Sequence, residues 1–251
     1  IVQTNGADNR IVNSYLHDGN YACSFDGMVS VQGERMLVSH NTMCRSGRDV
    51  VYLCKTKGAL IQYNDISDAG LRTSDVGMIY IVRGDMGNSV FRYNRVHGAH
   101  SKSLGMGIYL DAQTHNMIVH HNLVYDGGEF PILDNGPSGY ALLFNNTLSR
   151  GTKGREFPTT TGRAANYFFG TRFYNNIHEG MSFSIPEITA FDRQNNVERG
   201  TDPRLLSPDT LDFRLKSDSP AIDCGKTIGG VTGLYSGDAP DAGAFEAGWP
   251  V

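Results

Sequence analysis

The chain has 251 residues, 39% apolar and only 19% charged, with 30 Gly, a formal net charge of −4 and an isoelectric point near 6.1. There is no Lys/Arg run, which argues against nucleic acid or an anionic membrane as partner, and no apolar stretch reaches the length of a membrane-spanning helix. This balance fits one elongated domain and a neutral or weakly charged ligand.

From its first residues the chain writes one phrase: apolar, any, aromatic or His, Asn, any, apolar. It begins as "IVNSYL" at Asn13 and "VSHNTM" at Asn41, sharpens to "IQYNDI" at Asn64, "FRYNRV" at Asn94 and "VHHNLV" at Asn122, and continues as "LFNNTL" at Asn146, "FYNNIH" at Asn176 and "RQNNVE" at Asn196. The anchor Asn residues are 28, 23, 30, 28, 24, 30 and 20 residues apart, the period of a repeat protein. The segments alternate apolar and polar with period two, carry Val, Ile, Tyr and Phe, and exit in Gly or Asp-Gly, so they are strands. No apolar stripe at helical spacing lies between them. A short strand every two dozen residues predicts an all-β parallel solenoid whose coils stack at roughly 4.8 Å.

At the same turn of every coil, the anchor Asn can donate to one neighbour and accept from the next, and Asn tolerates the left-handed backbone of a tight turn. The residues just before the anchors are His40, Tyr63, Tyr93, His121, Asn145, Asn175 and Asn195, which predicts a stacked column of flat side chains. That phase makes His40 and His121 structural rather than catalytic. Because the chain opens inside the repeat, further coils are expected upstream. Cys23, Cys44, Cys54 and Cys224 lack metal-ligand spacing. Cys23 and Cys54 are near enough in phase for a bridge between coils, with free buried thiols as the alternative.

Two blocks break the phrase and so carry the chemical interest. They are "GLRTSDVGMIYIVRGD" (Gly70 to Asp85) and "HSKSLGMGIYLDAQTHN" (His100 to Asn116), which share the cores "MIYI" and "GIYL". Stacking puts Tyr80 beside Tyr109 and predicts one polar patch of Arg72, Asp75, Tyr80, Arg83, Asp85, His97, His100, Lys102, Tyr109 and Asp111, with Glu129 and Asp134 one coil further on. Counting from the anchors aligns Arg83, Asp111 and Asn135; counting from the Ile-Tyr core sets Asp111 beside Val82 instead. Carboxylates on neighbouring rungs would lie roughly 5 to 9 Å apart, the range of retaining and inverting glycosidases. One acid must stay protonated and one ionised, which crowding, burial and a nearby Arg such as Arg83 provide. Asp75, Asp111 and Glu129 are the candidate catalytic acids. Arg72, Tyr80, Arg83, His100, Lys102, Tyr109 and Asp134 are candidate substrate contacts. The alternatives are ordinary: Asp111 as a strand cap, Asp75 as a turn former, Glu129 and His97 as solvated turn residues.

Further along, "GTKGREFPTTTGR" (Gly151 to Arg163) interrupts the repeat as a loop or groove wall. Past Asn196 the last 55 residues contain no Asn, and Pro203, Pro208, Pro220 and Pro240 stop regular coiling. The expected division is coils over 1–200 and a tail over 201–251. The string from Phe213 to Gly225, with "DAGAFE" from Asp241 to Glu246, is similar to the tail of many secreted right-handed parallel β-helix proteins of the pectate-lyase-like superfamily. The resemblance implies a cap or strap along the helix and a secreted or periplasmic location.

The combination "YNDISDAGLRTSDVGMIY", "GIYLD" and "VHHNLVYD" resembles β-helix glycoside hydrolases, including fucosidase- and xylosidase-like members, over about the central third of the chain. That resemblance implies Asp75 and Asp111 as the acids; where relatives often carry a second acid, this chain has Ala112. The leading expectation is an extracellular glycoside hydrolase acting on a polysaccharide or oligosaccharide, without metal or cofactor. The alternatives are a polysaccharide lyase using Arg83, Lys102 and His100, and a non-catalytic glycan-binding adhesin or spike module.

Overall fold

The computed structural model describes residues 2–135, 138–149, 169–178, 192–198 and 200–249. The segment from Gly151 to Arg163 lies outside the described residues. The strands wind as a parallel solenoid with three faces, every pairing between coils being parallel. The first face contains Val29–Glu34, Val51–Lys57, the opening halves of Val76–Arg92 and Gly105–His120, and Phe130–Asn135. The second carries Leu37–Ser39, Leu60–Gln62, the closing halves of those two long strands, Gly139–Phe144 and Arg172–Tyr174. The third carries Tyr15–Gly19, Thr42–Ser46, Asp65–Ser67, Arg95–His97, Leu123–Tyr125, Thr147–Ser149 and Ile177–His178.

Each face sends one side chain per coil inward, so the core is a set of columns. Val29, Val51, Ile79, Ile108 and Ile132 form one; Ile61, Phe91, Val119, Leu143 and Phe173 form another; Met43, Ile66, Val96, Val124 and Leu148 a third. The period-two alternation of the sequence is the trace of these columns. One of them ends on a charge: Val31, Leu53, Ile81 and Leu110 are followed by Asp134, which is 0% exposed. Asp134 therefore faces the interior and not a ligand. One of its oxygens accepts from the Ser138 hydroxyl and the other has no hydrogen-bond partner among the described residues.

The anchor asparagines lie in one buried ladder. From Asn41 through Asn64, Asn94, Asn122, Asn146 and Asn176 to Asn196, each Nδ2 donates to the next Oδ1 at 2.9 to 3.2 Å. The second Nδ2 hydrogen goes back to a carbonyl of the preceding coil, Val38 for Asn64 and Ile61 for Asn94, each at 2.9 Å. Each Oδ1 also accepts the preceding anchor's backbone N–H, at 3.1 Å between Asn64 and Asn94. The amide is thus saturated on both sides.

Two details differ from the sequence reading. The left-handed residue is the one before the anchor: His40, Tyr63, Tyr93, His121, Asn145, Asn175 and Asn195 have φ between 49 and 58°. Asn13 belongs to that set, with φ 51°, and Ser14 takes the anchor place, its N–H reaching Asn41 Oδ1 at 3.0 Å. The expected stack is present. His40, Tyr63, Tyr93 and His121 follow one another with ring centroids 5.0 Å apart.

The tail packs on the third face, where Leu205, Phe213, Leu215, Ala221 and Ala242 bury against Tyr125, Ile177 and Val197. It then runs along the left-handed column, taking amide hydrogen bonds at its carbonyls: Asn195 to Cys224 at 2.8 Å, Asn175 to Lys226 at 2.8 Å and Asn145 to Asp241 at 3.0 Å. The acids of "DAGAFE" hold its turns, since Asp241 accepts from the Asp223 and Ala247 N–H groups and Glu246 from Ser236 and Asp241. All four cysteines are free thiols, so Cys23 and Cys54 do not bridge.

Asn94→Ala leaves the Asn64 N–H and amide and the Ile61 carbonyl without their buried partners, and should cost at least about 2 kcal/mol in urea unfolding, more than Asn196→Ala at the half-buried end of the ladder. Burial pushes the Asp134 carboxyl up to about 7 from an ordinary 3.8. The folded state thus holds this proton more tightly than the unfolded chain, and its stabilisation is complete below the ordinary value and lost as pH rises through about 7. In Asp134→Asn the urea midpoint should fall less between about pH 5 and about pH 8 than in the parent chain.

Candidate functional site

On the outer side of the first face the alternation produces a wall. One outward column runs Ser30, Tyr52, Tyr80, Tyr109 and Leu133, and the next Cys54, Val82, Asp111 and Asn135. The tyrosine rings are tilted on one another with centroids 5.6 Å (Tyr52 to Tyr80) and 4.9 Å (Tyr80 to Tyr109) apart. Their apolar edges cluster with Val82, Met106 and Leu133, while the hydroxyls reach outward to the second column.

Asp111 is the polar focus of this wall. Its Oδ2 accepts from the Tyr80 hydroxyl at 2.5 Å and its Oδ1 from the Asn135 amide at 2.8 Å. The same amide donates to the Tyr109 hydroxyl at 3.3 Å. Burial, then the bond to Asp111 and its charge, push the Tyr80 phenol far above its ordinary value. Burial, followed by the charges of Asp111 and Asp75, does the same for Tyr109, and burial raises Tyr52 to about 12. These phenols stay protonated and act as donors. The surrounding cavity, of about 300 Å³, is lined by Phe25, Tyr52, Tyr80, Val82, Arg83, Asp111 and Ala112.

The register answers the alignment question left by the sequence. Asp111 pairs with Val82 on one side and Asn135 on the other, so the Ile-Tyr alignment holds toward the previous coil and the anchor alignment toward the next. A bulge between Val82 and Gly84 separates the two, and Arg83 stands in it with φ 56°, exposed and lining the cavity. No second carboxylate shares the Cys54–Val82–Asp111–Asn135 column.

Asp75 enters from the other end. Its N–H reaches Ser103 O at 3.4 Å and Val76 pairs with Gly105, so Asp75 stands across from Leu104, far from the rung beside Asp111. A fully straight strand from Leu104 to Asp111 would span about 23 Å. Gly77 lies within the strand Val76–Arg92 at a close approach, where a Cβ would lie 2.8 Å from Ile79 O and 2.9 Å from the Tyr109 Cβ. The Asp75 charge adds to burial and the Asp111 charge in raising the Tyr109 hydroxyl. The start of this strand is pinned by a buried pair that the sequence reading missed: Asp49 accepts the Gly77 N–H at 2.9 Å and Arg48 Nε at 3.1 Å. Burial pushes the Asp49 carboxyl up, while that N–H and Arg48 pull against it.

The remaining candidates disperse. Glu129 Oε2 accepts the Leu104 N–H at 3.0 Å, placing it beside the Asp75 corner, two coils or about 10 Å from Asp75. His100 is paired through Nε2 with Asp68 at 2.7 Å, and Lys102 is exposed in the adjoining loop. Arg72 is exposed and its charge acts on Tyr21. His97, read as a turn residue, is in a third-face strand, bonded to Asp65 at 2.8 Å and stacked on Tyr125. Asp85 binds the Asn116 amide and Gly87 N–H beyond the bulge. Asp134 is interior, as its column requires. Tyr52, Phe25 and Asn135 belong to the site without having been selected; "VYL" at Tyr52 is a degenerate copy of the Ile-Tyr core and was the available signal.

No family model and no curated protein matches the chain. Among solved structures, the crystal structure of pectate lyase Pel9A is similar, with a TM-score of 0.60 and 15% sequence identity over 96% of this chain and 66% of that one. The chain thus spans just under two thirds of that structure's length. Together with the parallel register of the coils, this likeness makes the fold a parallel β-helix of the pectate-lyase-like kind.

Proposed function

We propose that the chain cleaves glycosidic bonds of a polysaccharide or its fragments by hydrolysis, with the cavity lined by Phe25, Tyr52, Arg83 and Asp111 as the glycan-facing surface. The observation that carries the reading is the cavity beside Asp111, whose carboxylate is oriented by the Tyr80 hydroxyl and the Asn135 amide and which Phe25, Tyr52 and Arg83 also line. Hydrolysis needs one carboxyl to protonate the leaving oxygen and another to attack or to activate water. Asp111, held by the Tyr80 hydroxyl and the Asn135 amide, is fixed in orientation and suited to the ionised role. Asp75, outside that network, is assigned the proton-donating role. Tyr80 and Tyr109 are buried and form the support of Asp111 and Asn135, which leaves Tyr52 and the exposed Phe25 as the aromatic surface of the cavity. The fold shared with pectate lyase Pel9A is compatible with a secreted protein acting on polysaccharide.

One observation favours elimination as a second reading. Arg83 is the cation that lines the cavity beside Asp111, and the Asp111 column contains no other acid. In that chemistry Arg83 neutralises a uronate carboxylate while a base removes the adjacent proton.

Asp111→Asn and Asp75→Asn should each lower kcat/KM by about 10² to 10⁴-fold with an unchanged urea midpoint, assayed by release of reducing ends across a panel of polysaccharides. Products bearing an unsaturated, ultraviolet-absorbing end would replace hydrolysis by elimination. Tyr80→Phe should retain the fold and lose about tenfold or more in kcat, because Asp111 then loses its phenol donor.

A further inference from the structure

The corner between the second and third faces is remote in the coil from the Asp111 wall. It carries the left-handed residues Tyr93, His121 and Asn145, one per coil. The tail crosses this corner and leaves a cavity of about 300 Å³ between itself and the coils, lined by Tyr93, His121, Arg214, Tyr235, Phe245 and Trp249 among others. Tyr93, Tyr235 and Trp249 are 36%, 40% and 45% exposed, and Leu234 beside them is exposed as well.

The charges around the cavity are already matched. Arg214 is bidentate to Asp212, at 2.8 Å through Nε and 2.6 Å through Nη2. Glu246 is held by the Ser236 and Asp241 N–H groups, each at 3.1 Å. Burial lowers the His121 imidazole to about 4, so it is neutral at ordinary pH. Among the described residues no protein partner takes the Tyr93 or Tyr235 hydroxyl or the Trp249 indole N–H. The cavity therefore offers aromatic surface and uncommitted neutral hydrogen-bonding groups without unbalanced charge. Its size is at the small end of ligand pockets.

A ligand matching this has an apolar C–H face and hydroxyls at its edge, and carries no charge. We infer that the cavity is a second, non-catalytic saccharide site, taking a neutral pyranose unit against the Tyr235 and Trp249 rings with its hydroxyls bonded to the Tyr93 and Tyr235 phenols and the indole. A charged sugar would bury its carboxylate against the already paired Arg214 and the neutral imidazole, at a desolvation cost that nothing there offsets. The site is independent of hydrolysis at Asp111 and does not require that reading to hold.

Trp249 is the chain's single Trp, so its emission reports on this cavity alone. The folded chain is titrated with cellohexaose, xylohexaose and mannohexaose, and with hexagalacturonate as the charged comparison. At least one neutral hexaose should give a saturable change in Trp249 emission, retained in Asp111→Asn and weakened about tenfold or more in Tyr235→Ala and Tyr93→Ala, whose circular dichroism should match the parent. The proposal is overturned by no response to any neutral hexaose, by a response to hexagalacturonate alone, by a response unaffected by both tyrosine variants, or by one lost in Asp111→Asn.

Discussion

A buried amide cannot be left unpaired, and this constraint fixes the molecule. Each anchor Asn from Asn41 to Asn176 is interior, and its amide is fully used only when the neighbouring coils present an Asn and a backbone carbonyl at the same height. A slip of one residue in any coil would orphan groups on both neighbours and turn the apolar columns outward. Chain length between anchors varies from 20 to 30 residues, yet the ladder spacing does not. The same rule explains the tail. Where the column before the anchors changes from His and Tyr to Asn145, Asn175 and Asn195, its amides capture tail carbonyls and the strap lies down there.

The wall follows from that register. Parallel stacking turns three separated Tyr residues into one ridge and brings Cys54, Val82, Asp111 and Asn135 into one line, although they are spread over some eighty positions. The bulge after Val82 then releases Arg83 from the ladder and exposes it beside Asp111. The start of that strand is held at Gly77 by the buried Asp49. Polar chemistry thus collects where the first face is irregular, while the second and third faces keep their columns.

The architecture was legible in the sequence because the constraint that fixes it is written as a residue identity, one Asn per coil. Asn13 misled for the same reason: it is an Asn one place early, at a left-handed position that Asn also favours, with Ser14 in the anchor place. Asp111 and its tyrosines were legible because "MIYI" and "GIYL" align without gaps. Asp134 was not, since its inward direction depends on strand parity after the turn at Gly127 and Gly128, and that parity is fixed only by its pairing with Leu110. Glu129 and His100 were placed in the right neighbourhood but are engaged by Leu104 and Asp68, local partners that composition does not reveal. The Arg48 and Asp49 pair had no signal at all, being two charged residues in a turn whose burial comes from the coil stacked over them.

The turn leading into the first face differs in length from coil to coil, and Asp75, Leu104 and Glu129 all stand at its end. Evolution can therefore lengthen, shorten or rewrite that edge without touching the amide ladder or the interior. Inheritance of the scaffold and divergence of specificity are separable in such a molecule, and chains of this build can drift to low mutual identity while keeping one shape.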